Sequence, residues 1–206
     1  MTPTAPQRKA RLTAADRRAL LEDAARTCIA RGGIRAFTVD KIVAEAGVSR
    51  GLITHHFGSM DGLLVAVYSR MYGDWMAALA TPQPGLSRLE ALIEALVSPA
   101  LFSPDVVSVW LTLWGEIATN PVLRAEHRAR YGDYRASIAA ALREAVPSES
   151  GPREPTFDAD IIATAFICLV DGLGVQRCVE PALMSEGTAR AACRALLAPY
   201  LPRQHP

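Results

Sequence analysis

The chain has 206 residues, enough for one or two compact domains with a buried core. Half of its residues are hydrophobic and 21% are charged, which excludes an intrinsically disordered chain. The net charge of +1 hides an uneven distribution. Residues 1–60 hold ten Lys/Arg and five Asp/Glu, a net charge of +5, whereas residues 61–206 hold twelve and sixteen, a net charge of −4. The near-neutral total therefore does not exclude a nucleic-acid partner.

Other classes of protein are disfavoured by the sequence. The N-terminus lacks the apolar segment of a secretory signal, and the most apolar stretch, residues 161–170, is far shorter than the roughly 20 residues of a membrane span. Four scattered cysteines favour reduced, buried thiols in the cytoplasm over disulfides. The histidines form no metal-binding pair, and no P-loop, nucleophile elbow or dinucleotide-binding motif is present. We therefore expect no enzyme activity, no metal and no cofactor.

Hydrophobic periodicity predicts an all-α protein of about nine helices. A basic arm, residues 1–12, precedes three short helices that end at Gly32-Gly33, at Gly47 and near Phe57, with Thr38 and Ser49 as predicted caps of the second and third. A longer helix begins after Ser59. The later helices end near residues 80, 97, 119, 145, 179 and 197, with a polar surface loop at 147–155 and an irregular tail. We expect a DNA-binding domain at 1–60 and a helical effector-binding and dimerisation domain at 61–206.

The most informative segment is a helix-turn-helix, TVDKIVAEAGVSRGLITHHF, from Thr38 to Phe57. Gly47 makes the sharp turn, Val48 fills the space between the helices, and the second helix is short enough to enter a major groove. Arg50 suits guanine or phosphate, and Thr54 suits a phosphate or a thymine methyl group. Ordinary helix packing is the alternative for such a turn, but the basic surroundings favour DNA. The candidate DNA-binding residues are Lys41, Ser49, Arg50, Gly51, Thr54, His55 and His56.

This segment resembles the TetR family of bacterial transcriptional repressors. The resemblance covers about residues 15–65 and rests on five groups of residues, which are Leu20–Ala25, Gly32-Gly33, Thr38–Ile42, Ala46–Gly51 and His55–Phe57 followed by Asp61–Leu64. It implies a homodimer of all-helical subunits. Each subunit would carry a three-helix DNA-binding domain and a larger domain that binds a ligand and dimerises.

A weaker resemblance to the BetI-like branch of this family extends over most of the chain. It rests on Gly51–Gly58, on Val109–Pro121 and on Leu169–Leu173. The best-known member of that branch responds to choline. The sequence departs from many relatives, which have tyrosine at His56 and lysine at Gly58 and Met60. Those residues typically touch phosphates, so the departures predict fewer phosphate contacts, and His56 either donates to a phosphate or packs beside Phe57.

The C-terminal part contains candidates for a ligand pocket. Trp110 and Trp114 share a helix face, Trp75 lies on the helix that joins the two domains, and Asp171 is an acidic residue in an apolar helix. Tryptophans and a carboxylate are able to surround a quaternary ammonium group by cation–π attraction. Ordinary core packing is the alternative for each tryptophan, and Asp171 could instead cap a helix or pair with Arg177. The candidate ligand residues are Trp75, Trp110, Trp114, Glu116, Asp171 and Arg177.

The last two helices carry stripes of small and branched residues, which the family usually buries in a dimer seam. The candidate interface residues are Ile161, Ala165, Cys168, Leu169, Gly172, Ala189, Cys193 and Leu196. The sequence thus predicts a cytoplasmic homodimeric repressor that a small-molecule effector of unknown identity releases from a palindromic operator. A TetR-like regulator without a ligand is one alternative, and a helical scaffold that does not bind DNA is another.

Overall fold

A computed structural model of the protein describes residues 13–145 and 157–200, and regular structure within these ranges is entirely helical. The predicted basic arm, the whole predicted surface loop and most of the predicted tail lie outside the described residues. Helix α1 (Ala14–Gly32) begins with reciprocal hydrogen bonds: the Asp16 N–H donates to the Thr13 hydroxyl, and the Thr13 N–H donates to the Asp16 carboxylate. Its buried face, which includes Leu21 and Ile29, forms the centre of the N-terminal unit.

Helices α2 (Val39–Ala46) and α3 (Gly51–Phe57) form the predicted helix-turn-helix. Gly47 ends α2 in the left-handed conformation, with φ 63° and ψ 36°, which glycine adopts without steric cost. The predicted cap at Ser49 is not formed by its side chain. The N–H groups of Leu52 and Ile53 instead donate to the backbone carbonyls of Ser49 and Arg50, so a tight first turn replaces the hydroxyl cap. Thr38 likewise precedes α2 without a side-chain cap.

The remaining helices form the C-terminal unit. They are α4 (Met60–Ala80), α5 (Arg88–Leu96), α6 (Pro99–Phe102), α7 (Pro104–Ile117), α8 (Pro121–Glu144), α9 (Ala159–Val179) and α10 (Glu186–Leu197). The described residues therefore form ten α-helices where about nine were predicted. The additional helix is α6, a single turn that Pro99 begins between α5 and α7.

Helix α4 connects the two units because it packs against α1 and α3 on one side and against α5 and α8 on the other. Its first turn lies so close to α3 that a Cβ atom at Gly62 would overlap the carbonyl oxygen of Phe57. Only glycine fits there. The position of α3 is therefore tied directly to the start of α4.

Helix α9 is the apolar helix predicted from residues 161–170. By length and composition alone it would qualify as a membrane span. In the fold, however, it packs against α7, α8 and α10, and Ala163, Phe166 and Ile167 are almost completely buried. This arrangement is that of a core helix, as the sequence predicts.

Candidate nucleic-acid interface and ligand cavity

The N-terminal end of α3 presents an exposed polar surface. Arg50, Gly51, Thr54 and His55 are all exposed there, and Ser49 is exposed in the turn before the helix. These residues and the exposed Lys41 on α2 are six of the seven DNA contacts predicted from the sequence. The surface therefore offers side chains of the kind that contact bases and phosphates.

Arg50 already has an ionic partner in this structure. Its guanidinium lies 2.6 Å from an Asp40 carboxylate oxygen. The side chain of Arg50 is 72% exposed and that of Asp40 is 67% exposed. Ion pairs as exposed as this one contribute little free energy. The contact holds Arg50 beside α2 without preventing its transfer to a phosphate or a guanine.

His56 differs from the other predicted contacts because its ring is partly enclosed. The Nε2 atom is buried without a hydrogen-bond partner among the described residues, and burial, followed by the charges nearby, lowers the pKa of the imidazole. Arg18 of α1 donates to the His56 carbonyl oxygen (2.9 Å), and its guanidinium lies 4.4 Å from the centre of the Phe57 ring. These contacts favour the packing role of His56 over the phosphate contact.

A cavity lies between α4, α6, α7, α8 and α9, with an empty volume of about 650 Å³ that includes its opening to solvent. Its walls are mostly aromatic. The lining residues are Tyr68, Tyr72, Trp75, Leu101, Phe102, Val107, Trp110, Trp114, His127, Tyr131, Tyr134, Ile167, Val170, Asp171 and Gly174.

Trp110 lies at the centre of the aromatic wall. Its ring centroid is 5.7 Å from that of Tyr68, 5.8 Å from that of Trp75 and 6.3 Å from that of Trp114. The contacts with Tyr68 and Trp75 are edge-to-face, at interplanar angles of 89° and 76°. Such contacts stabilise a wall of ring faces and edges that suits a compact apolar or cationic group.

Several polar groups of the wall already have partners and are uncharged. The Tyr68 hydroxyl is hydrogen-bonded to His127 Nδ1 (2.9 Å), and the Tyr72 hydroxyl donates to the Arg130 carbonyl oxygen (2.8 Å). Burial raises the pKa of both tyrosines and lowers the pKa of His127, so all three side chains are neutral near pH 7.

The Tyr134 hydroxyl of the wall is also buried, but it has no hydrogen-bond partner among the described residues. Asp171 is the charged exception. Its carboxylate lines the cavity and has no hydrogen bond or ion pair with any residue in the ranges 13–145 and 157–200. Burial raises its pKa from 3.8 to about 6, so at pH 7 the cavity wall carries a negative charge without a partner. The residue is partly exposed, so burial removes only part of the hydration of this charge, and a ligand cation would compensate for that loss.

Arg177, the alternative partner for Asp171, is occupied elsewhere. Its guanidinium donates to the carbonyl oxygens of Phe102 (3.4 Å), Pro181 (3.2 Å) and Met184 (2.9 Å), so it connects the end of α9 to α6 and to the segment that follows α9. Neither Arg177 nor Glu116 lines the cavity. The structure thus brings Trp75, Trp110, Trp114 and Asp171 together and leaves the other two predicted ligand residues outside the cavity.

Sequence reasoning missed the tyrosines of the cavity, although a signal was present. Tyr68, Tyr72 and Trp75 on α4 have the spacing i, i+4, i+7, and His127, Tyr131 and Tyr134 on α8 have the same spacing. Each set therefore lies along one face of its helix. Two matching aromatic faces would have indicated that α4 and α8 share a cavity.

A series of contacts along α4 and α8 connects the cavity with the N-terminal unit. Ser69, the residue after Tyr68, donates to Glu126, the residue before His127 (2.6 Å). At the start of both helices, Asn120 caps α8 through its side-chain oxygen and donates through its side-chain nitrogen to Asp61 of α4 (2.9 Å). The first turn of α4, which also contacts α3, is therefore joined to the helix that carries one cavity wall.

The face of α9 turned away from the cavity is apolar and exposed. Ile161 is 64% exposed, and Ala165, Cys168 and Gly172 are also exposed, with Leu169 half-buried. On α10 the predicted interface fits less well. Ala189 and Cys193 are completely buried within the subunit, so they are not available to a partner, whereas Leu196 remains partly exposed. The helical spacing of small residues on α10 therefore marks the face of the helix that packs inside the subunit.

Comparisons with known proteins agree with this geometry. Residues 21–67 match the family model described as bacterial regulatory proteins of the tetR family, and residues 85–202 match the one described as BetI-type transcriptional repressor, C-terminal. The chain is 30% identical over 173 residues to the HTH-type transcriptional regulator BetI of Rhizobium meliloti, which covers 82% of this chain and 81% of that protein.

Solved structures give the same result. The crystal structure of a putative transcriptional regulator from Pseudomonas aeruginosa has a TM-score of 0.78 and 33% identity, with 92% of each chain covered. A putative transcriptional regulator from Saccharomonospora viridis, solved in complex with choline, has a TM-score of 0.74 and 27% identity, with 92% of this chain and all of that chain covered. The matching proteins are regulators, which confirms the expectation that the chain is not an enzyme. The chain belongs to the TetR family of DNA-binding transcriptional regulators, with a C-terminal domain of the BetI type.

Proposed function

We propose that this protein is a cytoplasmic homodimeric repressor that binds a palindromic operator and is released by a small organic cation. Regulators of the TetR family bind DNA operators and small-molecule effectors and act as dimers. The observation that carries the effector part of the proposal is the unpaired Asp171 carboxylate within an aromatic cavity.

The DNA part of the proposal is supported by the exposed surface around Arg50 and Thr54 and by the +5 charge of residues 1–60. In a symmetric dimer, two recognition helices about 34–36 Å apart would enter successive major grooves of a palindrome. The exposed apolar face of α9, together with Val179 (70% exposed) and Leu183 (75% exposed), offers a surface on which two subunits could bury area.

The effector class follows from the chemistry of the cavity. A quaternary ammonium group has no hydrogen to donate, and it is stabilised by ring faces and by a carboxylate. A desolvated cation–π contact contributes up to about 2 kcal/mol. The choline complex of the similar S. viridis regulator supports this class of ligand. Choline is therefore the first compound to test.

Release would be a shift between two populations of the dimer. The ligand must bind more tightly to the conformation whose DNA-binding units are wrongly spaced. The contacts of α4 with α8, which run from Tyr68 to Asp61, provide a connection between the cavity and the recognition helix.

The test is a mobility-shift titration of the purified protein with the intergenic duplex next to its gene, at several salt concentrations and with or without choline. We expect affinity that falls with salt and falls again when choline is added. Binding to DNA that no cation weakens would favour a regulator without a ligand. Analytical ultracentrifugation that finds only monomer at micromolar concentration would contradict the dimer.

A further inference from the structure

The helix-turn-helix carries no net charge, although residues 1–60 as a whole carry +5. Its basic side chains are Lys41 and Arg50 and its acidic ones are Asp40 and Glu45, with histidine counted as neutral. The positive excess therefore lies in the residues before it. The segment that carries the candidate base contacts thus has little attraction of its own for phosphates, which supply most of the affinity for DNA of any sequence.

The two acidic residues of α2 are paired with different arginines. Glu45 lies 2.9 Å from Arg31 in the last turn of α1. Asp40, in the first turn of α2, lies 2.6 Å from Arg50, the residue before α3. Asp40, Lys41 and Arg50 are all exposed. Asp40 is therefore an acidic side chain within the candidate DNA-binding surface, and it cancels the charge of the arginine beside it.

The Asp40–Arg50 pair leaves Arg50 able to recognise a base. The contact is made by Nη2 of the guanidinium, and a guanidinium has five N–H donors in a planar fork. The remaining donors are sufficient for N7 and O6, the two acceptors of a guanine in the major groove. A phosphate offers less, because a phosphate that draws Arg50 away leaves the Asp40 carboxylate unpaired beside another negative group.

We propose that Asp40 is a positioning residue that sets sequence specificity: it cancels the charge of Arg50 and holds that side chain for a guanine instead of a phosphate. This inference rests on the proposed function, because it assumes an operator that Arg50 contacts. Phosphates are present in every sequence, whereas a guanine at a given position is not. An arginine whose charge is cancelled therefore adds to operator affinity and little to non-specific affinity, which increases the ratio of the two.

The first measurement compares the affinity of the purified chain for the intergenic duplex and for a mixed-sequence duplex of the same length, between about 50 and 200 mM salt. Asp40→Asn removes the negative charge and keeps the side-chain shape. We expect this variant to bind mixed-sequence DNA about fivefold more tightly, and its slope of log affinity against log salt to be steeper by about 0.9, as for one added phosphate contact. Its preference for the intergenic duplex should fall by a similar factor.

The second measurement asks whether Asp40 acts through Arg50. An intergenic duplex made with 7-deazaguanine lacks N7, one of the acceptors that arginine contacts in the major groove. We expect this replacement to weaken binding of the wild type about tenfold, of Asp40→Asn about threefold and of Arg50→Ala less than about twofold. A residue that only stabilised the fold would not change the response to a base analogue.

Two control variants accompany both measurements. Asp133→Asn makes the same chemical change at an exposed residue of α8 and should leave both affinities unchanged. Asp40→Glu keeps the negative charge and should keep the salt dependence of the wild type. Thermal melting should report folded protein for every variant.

The possible results separate this inference from the proposed function. Wild-type protein that binds the two duplexes equally tightly would overturn both. A preference for the intergenic duplex that Asp40→Asn leaves intact would overturn this inference alone. The same conclusion would follow if 7-deazaguanine weakened the wild type and Asp40→Asn equally, or if Asp133→Asn gained as much affinity for mixed-sequence DNA as Asp40→Asn.

Discussion

The candidate DNA-binding surface is formed by side chains that face solvent, whereas the ligand cavity is formed by side chains that point between helices. Around α3 the residues that would contact a partner point to solvent and are charged or polar, with Arg50 held only by an exposed ion pair. In the cavity the corresponding residues point inward, are mostly aromatic and are held by packing. We expect the first surface to tolerate substitution without loss of the fold, whereas most wall residues of the cavity also belong to the core. The two regions should therefore respond differently to mutation.

The largest expected effect concerns the place where the two regions meet. Gly62→Ala puts a Cβ atom against the carbonyl oxygen of Phe57, so α3 or α4 must move. We expect the free energy of unfolding to fall by about 3 kcal/mol, the upper part of the range for overpacked sites. Operator affinity should fall more than choline affinity, because the cavity lies further along α4.

Gly73→Ala on the same helix is the control for that variant. A Cβ atom at Gly73 meets no atom within 4 Å, and the residue is exposed. Since alanine favours a helix interior over glycine by about 1 kcal/mol, this variant should be more stable than the wild type. Chemical denaturation measures the free energy of unfolding of both variants. Equal values for the two would contradict the close approach of α3 and α4.

The next largest effect is confined to the DNA-binding face. Arg50→Ala should lower operator affinity by about 10- to 100-fold, because a charged contact to a base or phosphate is lost. Its melting temperature and choline affinity should not change. Arg128→Ala, which removes an exposed arginine from α8, is the charge-matched control in the mobility-shift assay. Equal losses for both variants would mean that overall charge, not the α3 surface, controls binding.

A smaller effect should be found in the cavity and should depend on pH. Burial raises the pKa of Asp171 to about 6 in the folded chain, against 3.8 as its ordinary value. Stability from this group is therefore fully present below pH 3.8 and is lost as pH rises through 6. We expect Asp171→Asn without ligand to be more stable than the wild type by about 1–2 kcal/mol at pH 7.5. The difference should vanish near pH 4.

Thermal melting of the two chains at a series of pH values measures that crossover. The tyrosines around Asp171, including Tyr131 and Tyr134, have raised pKa values and stay protonated over this range. If the Asp171→Asn variant is more stable than the wild type by the same amount at pH 4 and pH 7.5, then packing, not charge, causes the difference in stability. Saturating choline should reduce the advantage at pH 7.5, since it compensates the wild-type carboxylate.

The smallest effect concerns the connection between the regions. Asn120→Ser keeps an oxygen that is able to cap α8 but removes the amide that donates to Asp61. Stability should fall by less than about 1 kcal/mol, while the effect of choline on operator binding becomes weaker. Asn120→Ala removes the cap as well and provides the comparison. Full choline response in the serine variant would exclude the Asn120–Asp61 contact from the coupling.

The sequence predicted the two regions unequally, for physical reasons. The recognition helix depends on local rules, such as the turn at Gly47 and the exposed polar residues that follow it, and these are written within 20 consecutive residues. The cavity depends on residues from five helices between α4 and α9. Trp110 and Trp114 were found because they neighbour each other on one helix, but Tyr68 and Tyr134 matter only through the packing of α4 against α8.

Tertiary packing explains the remaining differences between the sequence-based predictions and the structure. Small residues on α10 predicted an interface, yet Ala189 and Cys193 pack inside the subunit, because a stripe of small residues does not say which helix will cover it. Arg177 was a plausible partner for Asp171 by its spacing on α9. The carbonyl groups of Phe102 in α6 and of Pro181 and Met184 after α9 compete for it, and the approach of Phe102 follows from tertiary structure.

All three tryptophans of the chain line the cavity, and the DNA-binding helices contain none. The intrinsic tryptophan fluorescence of the unlabelled protein is therefore a signal from the cavity alone. Ligand entry should change it directly by excluding water from the indole rings. Operator DNA, which would bind far from any indole, should change it only through the connection between the two regions. Emission recorded during a DNA titration would thus measure, without any engineered probe, how strongly the cavity responds to the operator.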